Sequence, residues 1–364
     1  MWDAIQKLEY RAKANIADAK AELENRISDR MELPLSGIHG EKLYLTGMAQ
    51  LRKRADELDT LYEQFPALRG VRDKIQLDAF SSATIEGART TVQEVRQSFD
   101  NPKTKDARMV VNTVKGSYYA YNQPITQKNI RRLWEKVVDG VCENEAQKGT
   151  KYRCGMVYVG SNSRTIHTPA TSEQLPELMQ QLFSFREAET ADLLIDSFAA
   201  HFYFVYVHPF CDGNGRTARI LNASQLYHGG YKKMKSLRLS SEINEQLSGY
   251  YSSLADSEIA IHDQSGAWLD LSPFVSFMLD AFERSMIHAV LSKNELTESE
   301  KKLLKRMDKV GIGAEITVKK ATRILGRSES AARNVLNALV EKGYLTLDNS
   351  HVPFIYHLRQ HIPE

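Results

Sequence analysis

The run Leu193–Val207, LLIDSFAAHFYFVYV, constrains the fold of this chain more than any other stretch. Its residues are apolar or aromatic at most positions, so a helix formed here has almost no polar face to turn towards water. We therefore expect it to be a core helix. Apolar residues recur at helical spacing along most of the chain, which predicts a mainly α-helical protein.

The composition is that of a folded protein without a membrane span. Of the 364 residues, 42% are hydrophobic and 26% are charged. No run of about 18 uncharged apolar residues is present, and the first residues, MWDAIQKLEYRAK, show no signal-peptide core. Cys142, Cys154 and Cys211 are too few and too widely spaced to indicate a disulfide framework or a cysteine-rich zinc site. We expect a cytoplasmic protein with no membrane partner.

Local patterns predict a series of helices and one β-hairpin. The hairpin is expected at Tyr152–Thr168, where β-branched and aromatic residues alternate around a Gly-Ser-Asn-Ser turn. A helix from about residue 73 should stop at Gly87, because glycine tolerates the left-handed conformation that ends helices. The other predicted helices are Trp2–Ser28, Gly40–Gln64, Thr90–Phe99, Asp106–Tyr121, Thr126–Asp139, Thr171–Phe185, Asp192–Val207 and one that begins after Gly215.

The last seventy residues differ from the rest of the chain in charge. From residue 296 to 364 there are 12 Lys and Arg against 8 Asp and Glu, whereas the remainder has 36 against 38. The order helix, helix, turn, helix, hairpin resembles a winged helix-turn-helix, with Arg327 and Arg333 near the start of the recognition helix. Duplex DNA is one expected partner of this module, but winged helices also mediate protein contacts.

The stretch HPFCDGNGRTARIL follows the core helix. It contains the residues that are best suited to binding and catalysis. Its two glycines at the start of a helix let backbone N–H groups converge on an anion such as a phosphate. Arg216 and Arg219 add fixed positive charge, and Asp212 is a hard oxygen ligand suited to Mg²⁺. His208 can accept a proton from an attacking hydroxyl. Each residue alone also fits a structural role, but their occurrence within twelve residues favours catalysis.

This stretch resembles the defining motif of the Fic family, His-x-Phe-x-Asp/Glu-Gly-Asn-Gly-Arg-x-x-Arg, at every specified position. Fic enzymes are mostly protein adenylyltransferases, which transfer AMP from ATP to a hydroxyl side chain and release pyrophosphate. The resemblance implies that His208 is the general base, Asp212 holds Mg²⁺ and Phe210 is a core anchor. It also implies an ATP-binding set: Gly213, Asn214, Gly215, Arg216, Thr217, Ala218 and Arg219.

Two further features of the family have counterparts in this chain. The hairpin that docks a target segment as an added strand, called the flap, resembles Val157–Pro169. The target would present a Ser, Thr or Tyr hydroxyl there. Tyr251, in YYSSL, lies where relatives place an aromatic residue near the adenine, although core packing explains it equally well.

The stretch SATIEG, Ser82 to Gly87, is similar to the inhibitory motif Ser/Thr-x-x-x-Glu-Gly/Asn of the family. In such members the glutamate pairs with the second arginine of the active loop and competes with the γ-phosphate of ATP. The resemblance therefore implies a pair between Glu86 and Arg219. The alternative is that Glu86 is simply an exposed helix end.

Together these features predict a mainly α-helical Fic adenylyltransferase that is autoinhibited by Glu86. The expected regions are an N-terminal helical region (1–100, with the inhibitory helix at about 73–87), a Fic core with its β-hairpin flap (101–290) and a winged helix-turn-helix (296–364). Two alternatives stay open. One is a DNA-binding regulator whose Fic domain senses nucleotide, and the other is a Fic enzyme that removes AMP or transfers another phosphate-containing group. A homodimer is a further open partner.

Overall fold

The chain divides into two compact units, with the boundary between Ile287 and His288. The computed structural model describes residues 24, 27–66, 71–142, 150–157, 159–161, 164–188, 191–264, 266–294, 296–308, 310, 314–342, 344–350 and 352–358. Both units are rich in helix, which confirms the predicted mainly α-helical class. The predicted helix Trp2–Ser28 lies outside the described residues, apart from residues 24, 27 and 28. The three-region division stays a prediction.

Helices build most of the first unit. They are α1 Met48–Gln64, α2 Val71–Ile85, α3 Val92–Gln97, α4 Lys105–Tyr121, α5 Gln127–Val137, α6 Leu175–Glu187, α7 Leu193–Val207, α8 Asn214–His228, α9 Leu239–Glu245 and α10 Leu247–Ser257, with a 3₁₀ turn at Lys232–Ser236. Helix α11, Ser272–Asn294, contains the boundary between the units. Within the described residues, no helix is both long and apolar enough to cross a membrane.

Six strands are described in the first unit. They are β1 Arg30–Ser36, β2 Lys42–Thr46, β3 Val159–Ser161, β4 Arg164–His167, β5 Ala260–Asp263 and β6 Gly266–Asp270. Strands β3 and β4 form an antiparallel hairpin, which confirms the hairpin predicted at Tyr152–Thr168. The other four form one sheet in the order β1-β2-β6-β5, in which β2 and β6 run parallel and the other pairs are antiparallel.

The helix predicted over Gly40–Gln64 is wrong in its first part, because residues 42–46 form strand β2. Leu43, Tyr44 and Leu45 are all buried, since β2 lies in the interior of the sheet. A strand buried on both faces has consecutive apolar residues, and such a short run cannot be told from a helix by periodicity. Its partner β6 lies more than 200 residues downstream, beyond the reach of any local pattern.

Helix α7 is the core helix that the sequence predicts. All its residues are buried except Leu193 and Val205, which are partly buried. It packs against α6 and α8, and α8 in turn packs against α4. The end of α7 and the start of α8 therefore lie within the most enclosed part of the unit, which fixes the loop between them.

The second unit has its own hydrophobic core. Its elements are α12 Glu298–Asp308, β7 Glu315–Thr317, α13 Val318–Leu325, α14 Glu329–Glu341, β8 Leu345–Asp348 and β9 Ile355–Leu358, and its antiparallel sheet has the order β7-β9-β8. Leu336 and Leu339 of α14 are fully buried in this core.

Two helix ends in the second unit follow local capping rules. Gly326 ends α13 with a φ of 65°, and the Ser328 hydroxyl accepts the Ala331 N–H at the start of α14. Arg327 and Arg333 are both exposed. The winged helix-turn-helix assignment and its DNA or protein partner remain predictions.

A buried ion pair in the second unit gives a stability prediction. Lys342 Nζ lies 2.8 Å from Glu300 Oε2, and the two side chains are only 12% and 3% exposed. Removing one partner of a buried pair leaves the other charge uncompensated, which typically costs about 3 kcal/mol or more. Lys342→Ala should therefore lower the free energy of opening of the second unit by roughly that amount, measured by hydrogen exchange of α14 and β9 amides in the full chain.

The matched control is Lys301→Ala. Lys301 pairs with Glu298 at 3.1 Å, but both side chains are largely exposed, and exposed pairs contribute little. Equal loss of protection in the two variants would contradict the prediction.

Candidate active site

A left-handed turn at His208 separates α7 from α8. His208 has a φ of 55° and a ψ of 61°, and it is the one non-glycine residue in the described part of the chain with a positive φ. A residue with a Cβ carries a cost of about 1–2 kcal/mol in this conformation. The backbone N–H of His208 donates to the Phe204 carbonyl at 3.0 Å, so the turn ends α7 and reverses the chain at the catalytic candidate.

The surroundings of His208 prepare its ring to accept a proton. Nδ1 lies 3.1 Å from the Val205 carbonyl oxygen, which can only accept, so Nδ1 carries the proton and Nε2 carries the lone pair. Burial lowers the pKa of His208 to about 4, with the Val205 carbonyl acting in the opposite direction. The imidazole is therefore neutral near pH 7, as a general base must be.

The N-terminus of α8 provides a group of free backbone donors. The first hydrogen bond of the helix runs from the Thr217 N–H to the Gly213 carbonyl, at 2.9 Å. The N–H groups of Asn214, Gly215 and Arg216 precede it and have no acceptor within the helix. Such a helix N-terminus attracts anions through its N–H groups and its dipole. The predicted phosphate site has this backbone geometry.

Two glycines of the loop lie close to neighbouring side chains. Gly213 has a φ of 72°, and a Cβ built on it would lie 2.7 Å from Val138 Cγ1. A Cβ on Gly215 would overlap the carboxylate of Glu86. The chain thus brings Glu86, the first residue after α2, directly against the start of α8.

The side chain of Asn214 holds the loop from within. Its Oδ1 accepts the Phe210 N–H at 2.9 Å, and its Nδ2 donates to the Phe210 carbonyl at 2.7 Å. The amide is therefore used within the loop, and its backbone N–H is the group left for a phosphate. Phe210 is 2% exposed and stacks on Trp134 at 4.6 Å, as expected for a core anchor.

Arg216 and Asp212 lie together at the edge of the loop. Arg216 Nη2 donates to Asp212 Oδ1 at 3.1 Å, and the arginine is 1% exposed. Arg216 Nε and Thr217 Oγ1 are buried and have no hydrogen-bond partner among the described residues. The Asp212 side chain is 42% exposed, so its carboxylate is open to a cation. Unpaired donors beside an exposed carboxylate fit a phosphate group with a bound Mg²⁺.

Arg219 holds the carboxylate of Glu86. Its Nη2 donates to Glu86 Oε1 at 2.8 Å and to the Ser82 carbonyl at 2.8 Å, and its Nε donates to the Ser82 hydroxyl at 2.8 Å. Burial favours a raised pKa for Glu86, but Arg219 and Arg216 outweigh it and the pKa is lowered. Both members of the pair are therefore charged. The structure thus brings together Ser82, Glu86 and Arg219, and Gly87 (φ 88°) ends the turn after α2.

Comparison with known proteins identifies the domain around this loop. Residues 124–226, from just before α5 to near the end of α8, match the Fic/DOC family model. The chain contains a Fic domain. The match includes the whole stretch His208–Arg219, whereas Ser82, Glu86 and Tyr251 lie outside it.

The Fic domain has relatives of known name. The chain is 25% identical over 284 residues to the protein adenylyltransferase Fic of Drosophila grimshawi, covering 74% of this chain and 54% of the relative. It is 26% identical over 254 residues to the protein of the same name from Drosophila melanogaster, covering 66% and 47%. The chain thus spans about half the length of the curated relatives that it matches.

Solved structures support the Fic fold. A Fic family protein from Desulfovibrio desulfuricans G20 superposes with a TM-score of 0.57 at 22% identity, covering 87% of this chain and 97% of that one. A fragment of Fic-1 from C. elegans superposes with a TM-score of 0.53 at 20% identity, covering 67% and 73%. These likenesses show the fold alone.

Two tyrosines of α10 border the Fic loop. Tyr250 is 2% exposed, and its hydroxyl lies 3.2 Å from His201 Nε2. Tyr251 is 50% exposed, and its hydroxyl lies 3.5 Å from the Ile85 carbonyl at the end of α2. Of the two tyrosines, Tyr250 is therefore the one that packs in the core. Tyr251 is left as an exposed ring beside the inhibitory candidate, where adenine contact stays a prediction.

Contacts with α9 fix the position of α2. Asp78 Oδ1 accepts the Ser240 N–H at 2.7 Å, and its Oδ2 accepts the Ser240 hydroxyl at 2.9 Å. Burial raises the pKa of Asp78 to about 6. These bonds hold the helix one turn before Ser82, so they set the position from which Glu86 reaches the loop.

The sequence analysis missed two residues that support the loop. Trp134 Nε1 donates to the Asp212 carbonyl at 2.7 Å. Arg153, at the base of the flap, donates from Nε to the His208 carbonyl at 2.8 Å. Both act on backbone carbonyls and belong to no motif, so the sequence had no signal for them beyond their nearness to the predicted hairpin and α5.

His201 gives a prediction for the pH dependence of stability. It is 1% exposed, and burial lowers its pKa to about 3. An unfolded histidine has a pKa of roughly 6.5, so below that pH the unfolded chain binds a proton that the folded chain does not. Stability therefore falls as the pH drops. Between pH 7.5 and 5 the parent should lose about 2 kcal/mol more than His201→Gln.

Urea unfolding followed by tryptophan fluorescence measures this difference, because Trp2, Trp134 and Trp268 all precede the unit boundary. The loss of packing in the variant is read separately at pH 7.5. The same pH dependence in parent and variant would show that the pKa of His201 does not differ between the folded and unfolded states, and would contradict the prediction.

Proposed function

We propose that this chain is a protein adenylyltransferase that transfers AMP from ATP to a hydroxyl side chain of a protein. The single observation that carries the proposal is that a neutral His208 lies on the same short loop as the start of α8, where three backbone N–H groups have no acceptor within the helix. The names of its relatives, protein adenylyltransferase Fic, support the same class of reaction. The second unit lies outside this part of the proposal.

The start of α8 would bind the phosphates of ATP. The N–H groups of Asn214, Gly215 and Arg216, together with the positive end of the helix dipole, would face the phosphates there. Arg216 is fixed by Asp212 and still has an unpaired Nε. Thr217 Oγ1 is a second unpaired buried group at the same end of the helix. Filling these donors favours binding, because a buried polar group without a partner costs free energy.

Asp212 would hold Mg²⁺, since its carboxylate is partly exposed and close to the phosphate donors. When bound, Mg²⁺ neutralises part of the charge that develops on the phosphates during transfer. Arg216 would keep the Asp212 carboxylate oriented, as the 3.1 Å hydrogen bond does here. Trp134, which binds the Asp212 carbonyl, fixes the backbone on the other side.

His208 would act as the general base. Its Nε2 takes the proton of the target hydroxyl while the hydroxyl oxygen attacks the α-phosphorus. The bond between the α-phosphorus and the oxygen bridging to the β-phosphate breaks, and pyrophosphate leaves. The Val205 carbonyl holds the Nδ1 proton, which keeps the correct tautomer through the step.

The flap, Val157–Pro169, would dock the target segment. Strands β3 and β4 are short, and a target segment that pairs with a strand edge needs only its backbone groups. The target hydroxyl of a Ser, Thr or Tyr then lies beside the active loop.

Glu86 would keep the enzyme inactive. Its carboxylate lies against Gly215 and is bonded to Arg219, so it places negative charge where the outer phosphates of ATP arrive. It also occupies the arginine that the γ-phosphate would use. ATP bound under these conditions would not have its α-phosphate in line with the attacking hydroxyl.

The test is AMP transfer from ATP labelled at the α-phosphate, compared with ATP labelled at the γ-phosphate. Glu86→Gly should transfer α-label, and not γ-label, to itself and to targets well above the parent. Adding His208→Ala should then reduce transfer by on the order of 100- to 10,000-fold, because the base is lost. The matched control is Glu63→Gly, an exposed glutamate near the end of α1, which should not activate.

Three outcomes oppose the proposal. Transfer of γ-label would indicate a kinase-type reaction, and no labelling by Glu86→Gly would remove the transferase function. Undiminished labelling by Glu86→Gly with His208→Ala would exclude His208 as the base.

A further inference from the structure

Arg153 is a buried arginine that binds three separate segments of backbone. It is 2% exposed, and it stands just before the flap. Its Nε donates to the His208 carbonyl at 2.8 Å, its Nη1 donates to the Gly155 carbonyl at 2.8 Å, and its Nη2 donates to the Ala170 carbonyl. Its own N–H donates to the Pro209 carbonyl at 3.0 Å. The residue therefore contacts both ends of the flap and the turn that carries His208.

A contribution to the stability of the fold does not explain why the charged side chain of Arg153 is buried here. The structure describes no carboxylate bonded to Arg153, and burial lowers its pKa although Glu173 opposes the shift. Guanidinium stays charged in proteins, so the chain buries a cation whose hydrogen-bond partners are neutral carbonyls. An apolar side chain would avoid that desolvation cost. The planar fork of arginine can, however, hold three carbonyls in one fixed arrangement, which no apolar side chain does.

The carbonyl of His208 is a sensitive point for this contact. His208 is in the left-handed conformation, which a residue with a Cβ adopts only when its surroundings hold it there. A rotation of this peptide would move the imidazole. The Arg153 Nε bond fixes the carbonyl, and the Arg153 N–H fixes the next carbonyl, that of Pro209.

A second contact also joins the base of the flap to the segment that precedes His208. His167, the last residue of β4, lies with its Nε2 2.7 Å from the Tyr206 carbonyl in the last turn of α7. Its Nδ1 lies 2.8 Å from Glu258 Oε2. The end of the flap is thereby tied to α7 two residues before His208. We call Arg153 and His167 the flap-base contacts.

We propose that Arg153 is a positioning residue that fixes the flap and the His208 turn relative to each other. The proposal rests on the proposed transferase function. The flap sets the position of the target hydroxyl, and the turn sets the position of Nε2, so the transfer rate depends on the distance between two separate segments. Arg153 joins them through the three carbonyls. It touches neither the start of α8 nor the Glu86–Arg219 pair, so ATP binding does not depend on it.

The experiment compares Arg153→Lys and Arg153→Met in the active Glu86→Gly background. Lysine keeps the charge but has no planar fork, and methionine keeps the length without a charge. Both variants should lower kcat for protein labelling by about tenfold or more, because a misplacement of about 1 Å can cost 100-fold. The Kd for ATP, measured by calorimetry, should stay within about threefold of the background, a difference below 1 kcal/mol.

The matched control is Arg52→Met. Arg52 makes an ion pair with Asp192 at 2.9 Å, but half of its side chain is exposed and it lies away from the flap. It should leave both kcat and the ATP Kd unchanged. Retained ATP binding in the Arg153 variants also shows that they fold, so a loss of kcat cannot be assigned to unfolding.

The possible failures are distinct. If Glu86→Gly alone does not transfer AMP, the proposed function fails first. If Glu86→Gly transfers AMP and both Arg153 variants match its kcat, the positioning role is wrong. If ATP affinity falls in parallel with kcat, Arg153 supports the whole domain and not the relation between flap and turn, which also overturns the proposal.

Discussion

The site depends on one physical requirement: the buried guanidinium of Arg219 must have a negatively charged partner. Arg219 is 4% exposed, and a buried guanidinium that loses its counter-charge is strongly destabilising. In the structure Ser82 and Glu86 meet that need, which ties α2 to α8 across more than 130 residues of sequence. Under the proposed function the γ-phosphate of ATP is the alternative partner. Inhibition and catalysis then use the same arginine, because Arg219 can pair with either Glu86 or the γ-phosphate but not with both at once.

The second requirement is a rigid backbone at the junction of α7 and α8. The buried α7 ends in a left-handed residue, and α8 begins at a left-handed Gly213. Asn214, Trp134 and Arg153 each bond to backbone carbonyls or N–H groups of this junction. Under the proposed function, a loop held in this way keeps His208 and three N–H groups in place for one phosphate-bearing substrate. The proposed chemistry therefore depends as much on the residues that hold the loop as on those that would react.

Local rules explain what the sequence could predict. Leu193–Val207 is predicted as a core helix because nearly every position is apolar, and Gly87 is predicted to end a helix because glycine tolerates a positive φ. The loop motif and SATIEG pointed to their residues through resemblance. The strand β2 could not be predicted, because its partner β6 is remote in sequence and its apolar run fits a helix equally well.

Side-chain contacts between distant segments escaped the sequence in the same way. Arg153 acts on carbonyls, which every residue has, so no pattern of residue types marks it. The sulfur atoms of Cys142 and Cys211 lie 3.5 Å apart, although their spacing in the chain gave no reason to pair them. The division of roles between Tyr250 and Tyr251 depended on exposure, which two adjacent aromatic residues do not reveal.

The most direct measurement of the central claim is the difference between ATP and ADP affinity, with Mg²⁺, in the parent and in Glu86→Gly. The two nucleotides differ only in the γ-phosphate, so the ratio of their Kd values reports whether Arg219 is available to it. In the parent, ATP should bind no more tightly than ADP, because Glu86 holds Arg219. In Glu86→Gly, ATP should bind about tenfold more tightly than ADP, the size of a charge-assisted hydrogen bond. The same ratio in both proteins would contradict the claim that Glu86 and the γ-phosphate compete for Arg219.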